Sequence, residues 1–425
     1  MGLLVVLLLF SQSPPACATP AECRQQALAA ADAGDYETFH DLAWRAVQKG
    51  RPNDPDLMFV LARAQALSGR PGDALVMLQR LVDMGAAPDI TLEDFGRVRA
   101  LKGWPELEAK IAGRPAPAKA PTPSAEKAPS RGEEPAAAPP AAAPAKDVKD
   151  TTEEALSFEV PPFDAVGLAY DAVSRRFIVG DRKAARLMVI DEVSHHVTNL
   201  VSAASAGFYD RITAFEIDVR RGDLWVLSTA ADSRGSVLHK LQLVSGRVLE
   251  EIALKSEDEP ATLVDVTVAA DGTVYAAEQE TGRIVRLRPR SRAFEDACRL
   301  KLPGVQSLTL ADERLAYVSS DAGITQVDLS SCAATPLHTG RNIDINKVER
   351  LRWQNGGLVV VQRLADGQTR IARARLDGPG KTITRLQTLV LARQSDPRTS
   401  TIAGTDLYYL VSADAAPSIR KVKLR

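Results

Sequence analysis

The amino-acid sequence predicts a multidomain protein, in which a small all-α N-terminal domain precedes an all-β, six-bladed β-propeller. Three observations support this fold class. Apolar residues recur at helical spacing before residue 112, a proline-rich stretch follows, and short strands then recur every 40 to 50 residues. These patterns place the helical domain at 19–112, the linker at 113–155 and the propeller at 156–425.

Composition excludes two classes of protein. Lys and Arg total 53 against 54 Asp and Glu, which gives a formal net charge of -1. A general nucleic-acid binder needs an excess of basic residues to displace counterions from phosphate, so we expect no nucleic-acid partner. No apolar run after the N-terminus reaches the ~18 residues of a membrane-spanning helix, so no transmembrane span is expected after the signal.

Residues 1–18 have the features of a secretory signal peptide. An apolar run from Leu3 to Phe10 is followed by Ala16–Ala18, which fits the small-x-small rule of signal peptidase. The segment before the apolar run carries neither Lys nor Arg, and Pro14 disfavours a lipoprotein acylated at Cys17. We therefore expect a periplasmic or secreted protein.

The chain has four cysteines, Cys17, Cys23, Cys298 and Cys332. If Cys17 is removed with the signal peptide, three remain, and one of them cannot form an intramolecular disulfide. Cys298 and Cys332 lie at similar positions in consecutive repeats, which makes them the candidate disulfide in an oxidising compartment. The alternative is that adjacent repeats hold their Cα atoms more than about 7 Å apart. The five histidines are scattered, so no zinc site is expected.

The N-terminal domain is predicted to consist of helix pairs. Asp54-Pro55 is typical of a helix start, because Asp caps the helix and Pro fits its first turn. The predicted helices are 22–33, 36–48, 55–68, 73–84, 92–100 and 105–111. These pairs resemble tetratricopeptide repeats of about 34 residues, whose concave face binds a peptide or protein. The alternative is a short bundle that packs only on itself.

The linker is predicted to be an extended spacer. Nine prolines lie between Pro115 and Pro144, mixed with Ala, Lys and Glu, and large apolar residues are almost absent. Proline removes backbone donors, and such a composition cannot bury a core. We therefore expect two separately folded units, so that deletion of residues 19–112 leaves the melting of the propeller unchanged.

The propeller prediction depends on a repeat of strands and Gly-containing turns. Equivalent strand positions are Phe177, Leu224, Val274, Leu315, Leu358 and Leu407. Four strands per repeat at this period are typical of a propeller blade. The sixth repeat lacks an outer strand, and we expect Ser157–Val160 to supply it and close the ring.

The segment Leu263–Leu287, LVDVTVAADGTVYAAEQETGRIVRL, resembles the blades of NHL repeats and of the senescence-marker-protein/gluconolactonase/luciferin-regenerating-enzyme family, which are TolB-like six-bladed propellers. Val166–Asp171, Ile212–Leu227 and Gln306–Val318 are similar to the corresponding parts of other blades. The resemblance covers about 265 residues and rests on strand and turn residues. The helical region followed by this propeller is also similar to an exported bacterial subfamily.

The resemblance implies a possible metal site. In that family a Glu, two Asn and an Asp hold a divalent metal, which polarises a lactone carbonyl and activates water. Val166 stands at the position of the Glu, Gln306 at one Asn and Glu349 at the Asp, while Val264 and Asp265 lie near the other Asn. Under this alternative, Asp265, Gln306 and Glu349 bind Ca or another divalent metal in a lactonase or esterase.

The main prediction is a non-catalytic protein whose channel is lined by polar residues. Side chains at the start of each innermost strand face the centre of a propeller, and they are Asp210, Arg211, Asp265, Gln306, Lys347, Glu349 and Arg398. Their mixed charge suits either a small polar ligand or a network of ion pairs. No catalytic residue is assigned and no cofactor is expected. The sequence thus predicts an exported bacterial scaffold that binds a protein, peptide or small ligand.

Overall fold

A computed structural model describes residues 17–113, 152–232, 235–255, 262–340, 343–393, 398–412 and 416–424. The predicted signal segment up to residue 16 and most of the predicted linker lie outside these ranges. Within them, no helix combines the length and apolar character that a membrane span requires. The described residues form a helical region and six β-sheets, which confirms the predicted fold class.

The helical region contains the predicted pairs. Its helices are α1 (Pro20–Asp32), α2 (Tyr36–Lys49), α3 (Pro55–Leu67), α4 (Pro71–Asp83), a 3-10 turn (Glu93–Phe95), α5 (Gly96–Arg99) and α6 (Trp104–Ala112). Side-chain caps explain three of the starts. The Thr19 hydroxyl accepts from the Glu22 amide at 3.2 Å, and the Asp35 carboxylate accepts from the Thr38 amide at 3.1 Å. The Asp54 carboxylate accepts from the Asp56 and Leu57 amides.

In each blade of the propeller, consecutive antiparallel strands run from the innermost strand outward, and only β1 (Glu153–Ser157) of blade 6 and β18 (His338–Thr339) of blade 5 depart from this order among the described strands. Blade 1 contains β2 (Ala165–Asp171), β3 (Arg176–Asp181), β4 (Arg186–Asp191) and β5 (Val197–Val201). A short helix, α7 (Ala203–Ala206), leads to blade 2, with β6 (Arg211–Asp218), β7 (Asp223–Thr229), β8 (Gly235–Gln242) and β9 (Val248–Lys255). Blade 3 contains β10 (Leu263–Val268), β11 (Val274–Glu278), β12 (Arg283–Leu287) and β13 (Glu295–Arg299).

The remaining three blades complete the ring. Blade 4 contains β14 (Ser307–Leu310), β15 (Leu315–Ser320), β16 (Gly323–Asp328) and β17 (Ala334–Pro336). Blade 5 contains β19 (Val348–Gln354), β20 (Gly357–Arg363), β21 (Thr369–Leu376) and β22 (Thr382–Ala392), and β18 (His338–Thr339) joins β22 in parallel. Blade 6 contains β23 (Ser400–Ala403), β24 (Asp406–Val411), β25 (Ser418–Lys423) and β1 (Glu153–Ser157).

The ring closes as predicted, but through a different segment. The outer strand of blade 6 is Glu153–Ser157, which pairs antiparallel with β25, whereas the sequence pointed to Ser157–Val160. Residues beyond Ser157 approach Pro161 and Pro162, which have no backbone N–H to donate to a ladder. Leu156 supplies the buried side chain of the strand, at 2% exposure.

The core of the propeller consists of apolar layers between neighbouring blades. The innermost strands contact one another in the order β23, β2, β6, β10, β14 and β19. Val359 and Val361 of blade 5 pack with Leu407 of blade 6 and complete the circle. Because the strand order repeats in every blade, all innermost strands begin at one end of the central channel, which we call the mouth.

Two disulfides are present, and they include all four cysteines. The predicted candidate pair, Cys298 and Cys332, is bonded with a Cα separation of 5.4 Å, and it connects β13 of blade 3 to blade 4. The sequence did not predict the other bond, between Cys17 and Cys23, because it grouped Cys17 with the signal segment. Cleavage after Ala18 would remove this bond from the folded protein.

The helical region packs directly against blades 1 and 2. The Trp44 indole donates to the Val219 carbonyl at 2.7 Å, and the Ser245 amide donates to the Asp73 carboxylate at 3.1 Å. One apolar cluster contains residues of both regions, among them Phe39, Trp44, Leu78, Ile217, Leu224 and Leu243. This packing differs from the expectation of two units with separate cores. Periodicity predicted which helix faces are apolar, but it cannot predict what such a face packs against.

Candidate functional site

β-Bulges mark the mouth of the channel. The innermost strands of blades 1, 2, 3 and 5 each shift register near their first residues, which leaves Gly167, Thr213, Val264 and Glu349 outside the ladder. A bulge redirects side chains and bends its strand, and bulges are common beside functional sites. In blade 5 the bulge separates two consecutive charged residues. Glu349 lies at the mouth, whereas Arg350 lies deeper, beside Asp265 of blade 3.

Four side chains form what we call the mouth network, namely Gln306, Glu349, Arg363 and Arg398. The Arg398 guanidinium donates to Gln306 Oε1 at 2.7 Å and lies 3.9 Å from Glu349 Oε2. Arg363 donates to the other Glu349 oxygen at 3.1 Å. The network thus connects blades 4, 5 and 6 through one carboxylate and two guanidinium groups.

Below it lies the channel network, which consists of Glu216, Asp265, Arg350 and Arg352. The buried Asp265 carboxylate accepts from the Ser307 hydroxyl at 2.5 Å and from the Leu308 amide at 3.0 Å. Arg352 lies 3.5 Å from Asp265 and 3.2 Å from Glu216. Because blades 2 and 5 are opposite one another in a ring of six, the Arg352–Glu216 contact crosses the channel.

Burial shifts the ionisation of the channel network. Although 31% of the Glu216 side chain is exposed, the channel walls displace most of the surrounding bulk water. This desolvation raises the pKa of Glu216 against the opposing charges of Arg352 and Arg350. Burial, together with the charge of Arg352, lowers the pKa of Arg350 to about 10. Burial also acts to lower the pKa of Arg352, but Glu216 and Asp265 outweigh it and the pKa is raised.

The structure brings some of the predicted channel residues together and separates others. Gln306, Glu349 and Arg398 meet in the mouth network, and Asp265 belongs to the channel network. Asp210 is exposed and accepts from the Ala231 amide at 2.8 Å, beside a separate cavity of about 550 Å³ between blades 1 and 2. Arg211 is the half-buried first residue of β6, and Lys347 is exposed with φ of 53°.

Sequence reasoning missed Glu216, Arg350, Arg352 and Arg363. It considered only the first residues of each innermost strand, whereas Glu216 and Arg352 lie farther along β6 and β19. A usable signal was present in β6, because a charged residue such as Glu216 inside a mostly apolar innermost strand needs a buried partner. Arg363 lies at the end of β20 and gave no comparable signal.

The residues of the alternative metal site do not fit a divalent ion. Gln306 Oε1 and both Glu349 oxygens face guanidinium groups, and Asp265 lies deeper and accepts from Ser307 and Leu308. Val166, at the position of the family's Glu, is a buried apolar residue. Within the ranges that the structure describes, no three His, Cys, Asp or Glu side chains are grouped so that they could hold a metal ion.

No family model matches this chain, and no curated protein matches it. Among solved structures it is similar to a putative gluconolactonase, with 16% identity, a TM-score of 0.45 and coverage of 64% of this chain and 92% of that one. It is similar to a luciferin-regenerating enzyme at 14% identity, with a TM-score of 0.45 and coverage of 64% and 95%. It is also similar to an aldose sugar dehydrogenase from Streptomyces coelicolor, solved in its PQQ-bound form, at 12% identity, with a TM-score of 0.45 and coverage of 65% and 99%. Gluconolactonase-like and luciferin-regenerating proteins are thus among the structural neighbours, in agreement with the sequence resemblance.

Proposed function

We propose that this protein is an exported, non-catalytic scaffold whose propeller binds a small polar ligand at the channel mouth. The observation that supports a binding function is the mouth network. Its oxygen-bearing side chains, Gln306 and Glu349, are held by Arg398 and Arg363 in a hydrogen-bonding arrangement with no metal-like geometry. The helical region is the proposed site for a protein or peptide partner, on a face away from α2 and α4, which contact the propeller.

The mouth network suits reversible binding. A polar ligand can replace the contacts to Glu349 with contacts of its own, and the Arg363 side chain remains 39% exposed to such a ligand. The side chains come from the ends of rigid strands in three blades, so little ordering is needed on binding. Export is supported by the Cys298–Cys332 bond, because disulfides persist in oxidising compartments.

Metal titrations test the non-catalytic part of the proposal. Calorimetry with Ca, Mn and Zn should show no stoichiometric binding, and gluconolactone should not be hydrolysed above the background rate. Stoichiometric binding that Glu349→Ala abolishes, together with lactone turnover, would overturn the proposal. That result would establish the gluconolactonase-like alternative with Asp265, Gln306 and Glu349 as metal ligands.

Ligand-dependent melting tests the binding part. A panel of sugars, sugar acids, amino acids and dicarboxylic acids should contain compounds that raise the melting temperature of the wild-type protein. The increase should disappear in Arg398→Ala and persist in Arg314→Ala, an exposed arginine immediately before β15 of blade 4 that pairs with Asp328. An equal response of both variants would place the ligand away from the mouth and contradict the proposal.

A further inference from the structure

A buried arginine in the channel has a guanidinium donor without an acceptor. Arg350 is 5% exposed, and among the described residues its Nε has no hydrogen-bond partner. The nearest carboxylate oxygen to its guanidinium group is Asp265 Oδ1, which lies 3.8 Å from Nη1, too far for a hydrogen bond. A guanidinium group has five N–H donors, and a buried donor left without an acceptor costs about 1–3 kcal/mol or more when it is charged. The site therefore lacks an acceptor.

The charges around Arg350 point to the same deficit. Among the eight side chains of the mouth and channel networks, four are arginines and three are carboxylates, so positive charge is in excess within this set. Asp265 already accepts from Ser307, Leu308 and Arg352, and Glu216 is engaged by Arg352 on the far side of the channel. Arg398 is close enough for its charge to act on Arg350. Positive charge is thus concentrated where the two networks meet, around Arg350 and Arg398.

We propose that the channel binds a small anion, a carboxylate or another oxyanion, held by the guanidinium groups of Arg350 and Arg398. This inference rests on the proposed ligand-binding function and specifies its ligand class. An oxyanion presents two or more acceptor oxygens, which match the planar donor fork of a guanidinium group better than a hydroxyl or a cation does. The anion supplies the acceptor that Arg350 Nε lacks and balances the excess charge.

The geometry also limits the size and route of the ligand. The contact between Arg352 and Glu216 spans the channel below Arg350, so the anion enters from the mouth and its depth is limited. Glu349 lies next to Arg350 in the chain and binds Arg398 and Arg363 at the mouth. An entering anion competes with Glu349 for Arg398. The site therefore favours a compact anion over a long polyanion.

Calorimetric titration of the full-length protein with succinate and with inorganic phosphate tests this inference and distinguishes the two sources of oxyanion. We expect saturable binding of at least one of them, weakened at least tenfold in Arg350→Met. Arg375→Met is the matched control, because Arg375 is an exposed arginine on β21 of the same blade, and it should bind as the wild type does. Equal affinity in Arg350→Met and the wild type would overturn the inference.

A measurement on the wild-type protein covers the case in which Arg350→Met does not fold. Crystals grown with selenate should show an anomalous selenium peak within hydrogen-bonding distance of Arg350, and a peak only elsewhere would refute the site. Failure of the inference remains distinct from failure of the proposed function. If neutral sugars bind through Arg398 and no anion binds, the scaffold proposal stands alone. If metal binding and lactone turnover are found, the scaffold proposal itself fails.

Discussion

Asp73 is a single buried carboxylate at the contact between α4 and blade 2. It is 2% exposed and accepts a hydrogen bond from the Ser245 amide, while the charge of Arg70 lowers its pKa and the charge of Asp223 raises it. Burial raises the pKa of Asp73 to about 6, against an ordinary value of 3.8. Because the pKa is higher in the folded than in the unfolded protein, ionisation of Asp73 costs stability. That cost is absent below about pH 4 and complete above about pH 6.

Replacing Asp73 with Asn should therefore stabilise the protein in a pH-dependent manner. Asn keeps an oxygen that accepts from the Ser245 amide, but it carries no charge to desolvate. The free energy of unfolding should be nearly unchanged at pH 4 and should increase by up to about 3 kcal/mol at pH 8, from the pKa difference at about 1.4 kcal/mol per unit. Urea unfolding across this range measures the effect, and Asp83→Asn on the exposed side of α4 is the control. A gain that does not vary with pH would contradict the assignment.

The channel shows what the sequence can and cannot predict for single residues. Asp265, Gln306, Glu349 and Arg398 were found because a repeat aligns the starts of the innermost strands. Arg350 was missed because strand alternation assigns Glu349 and Arg350 to opposite faces, and only the bulge between Val348 and Arg350 determines which one reaches the channel interior. Glu216 was missed because its partner, Arg352, is 136 residues away in the chain.

At the scale of elements, the contact between α2 and the β6–β7 turn depends on a glycine. Gly222 has φ of +68°, and a Cβ atom there would lie 2.9 Å from the Trp44 ring. Gly404, in the equivalent turn of blade 6, has φ of +62°, but a Cβ atom there would meet nothing within 4 Å. The two positions share the backbone conformation, and of the two only Gly222 has a helix side chain where the Cβ atom would lie.

Gly222→Ala should destabilise the protein more than Gly404→Ala does. Each alanine costs about 1–2 kcal/mol for the left-handed conformation, and Gly222→Ala additionally displaces Trp44 from its contact with Val219. Urea unfolding of the two variants and the wild type measures the difference. Equal destabilisation would mean that Trp44 of α2 does not pack closely against the β6–β7 turn.

In the chain that retains Cys17, the two disulfides should contribute unequally to stability. The Cys298–Cys332 bond closes a segment with a sequence separation of 34, whereas Cys17–Cys23 has a separation of only 6. Loop-closure entropy predicts contributions of about 4 and about 2 kcal/mol, respectively. Replacing both members of each pair with Ser avoids leaving an unpaired thiol, and urea unfolding then compares the two double variants. A larger loss from the N-terminal pair would contradict the entropic argument.

Helices and strands that are determined by neighbouring residues could be predicted from the sequence. Features that depend on contacts with residues far away in the chain could be predicted only in outline. Helix starts followed from caps such as Asp54, and blades followed from their turns and strand spacing. Closure of the ring by an N-terminal strand was also foreseen from the missing outer strand of blade 6. The register of that strand was not, because it depends on pairing with β25, more than 250 residues later in the chain.

For the whole molecule, the helical region and the mouth lie at opposite ends of the channel. The helices contact Ser174, Val219 and Gly222, which follow the ends of innermost strands β2 and β6 in blades 1 and 2. The mouth and its network lie where the innermost strands begin. The helical region can therefore stabilise the propeller and present a partner surface without covering the proposed ligand site. Stability and ligand binding should respond differently to loss of the helices.

Removal of residues 19–112, with Cys17 replaced by Ser to avoid an unpaired thiol, separates these two properties. The deletion exposes the part of the shared cluster formed by Ile217, Leu224 and Leu243, all buried in the intact protein. Burial of such side chains is worth about 1.5–3 kcal/mol each, so the melting temperature of the propeller should fall by at least about 5 °C. Calorimetric binding of the anion that the intact protein recognises should stay within about twofold, because Arg350 and Arg398 lie at the other end of the channel. An unchanged melting temperature would restore the expectation of two separate units. A lost binding signal in a folded propeller would show that the helices support the mouth after all.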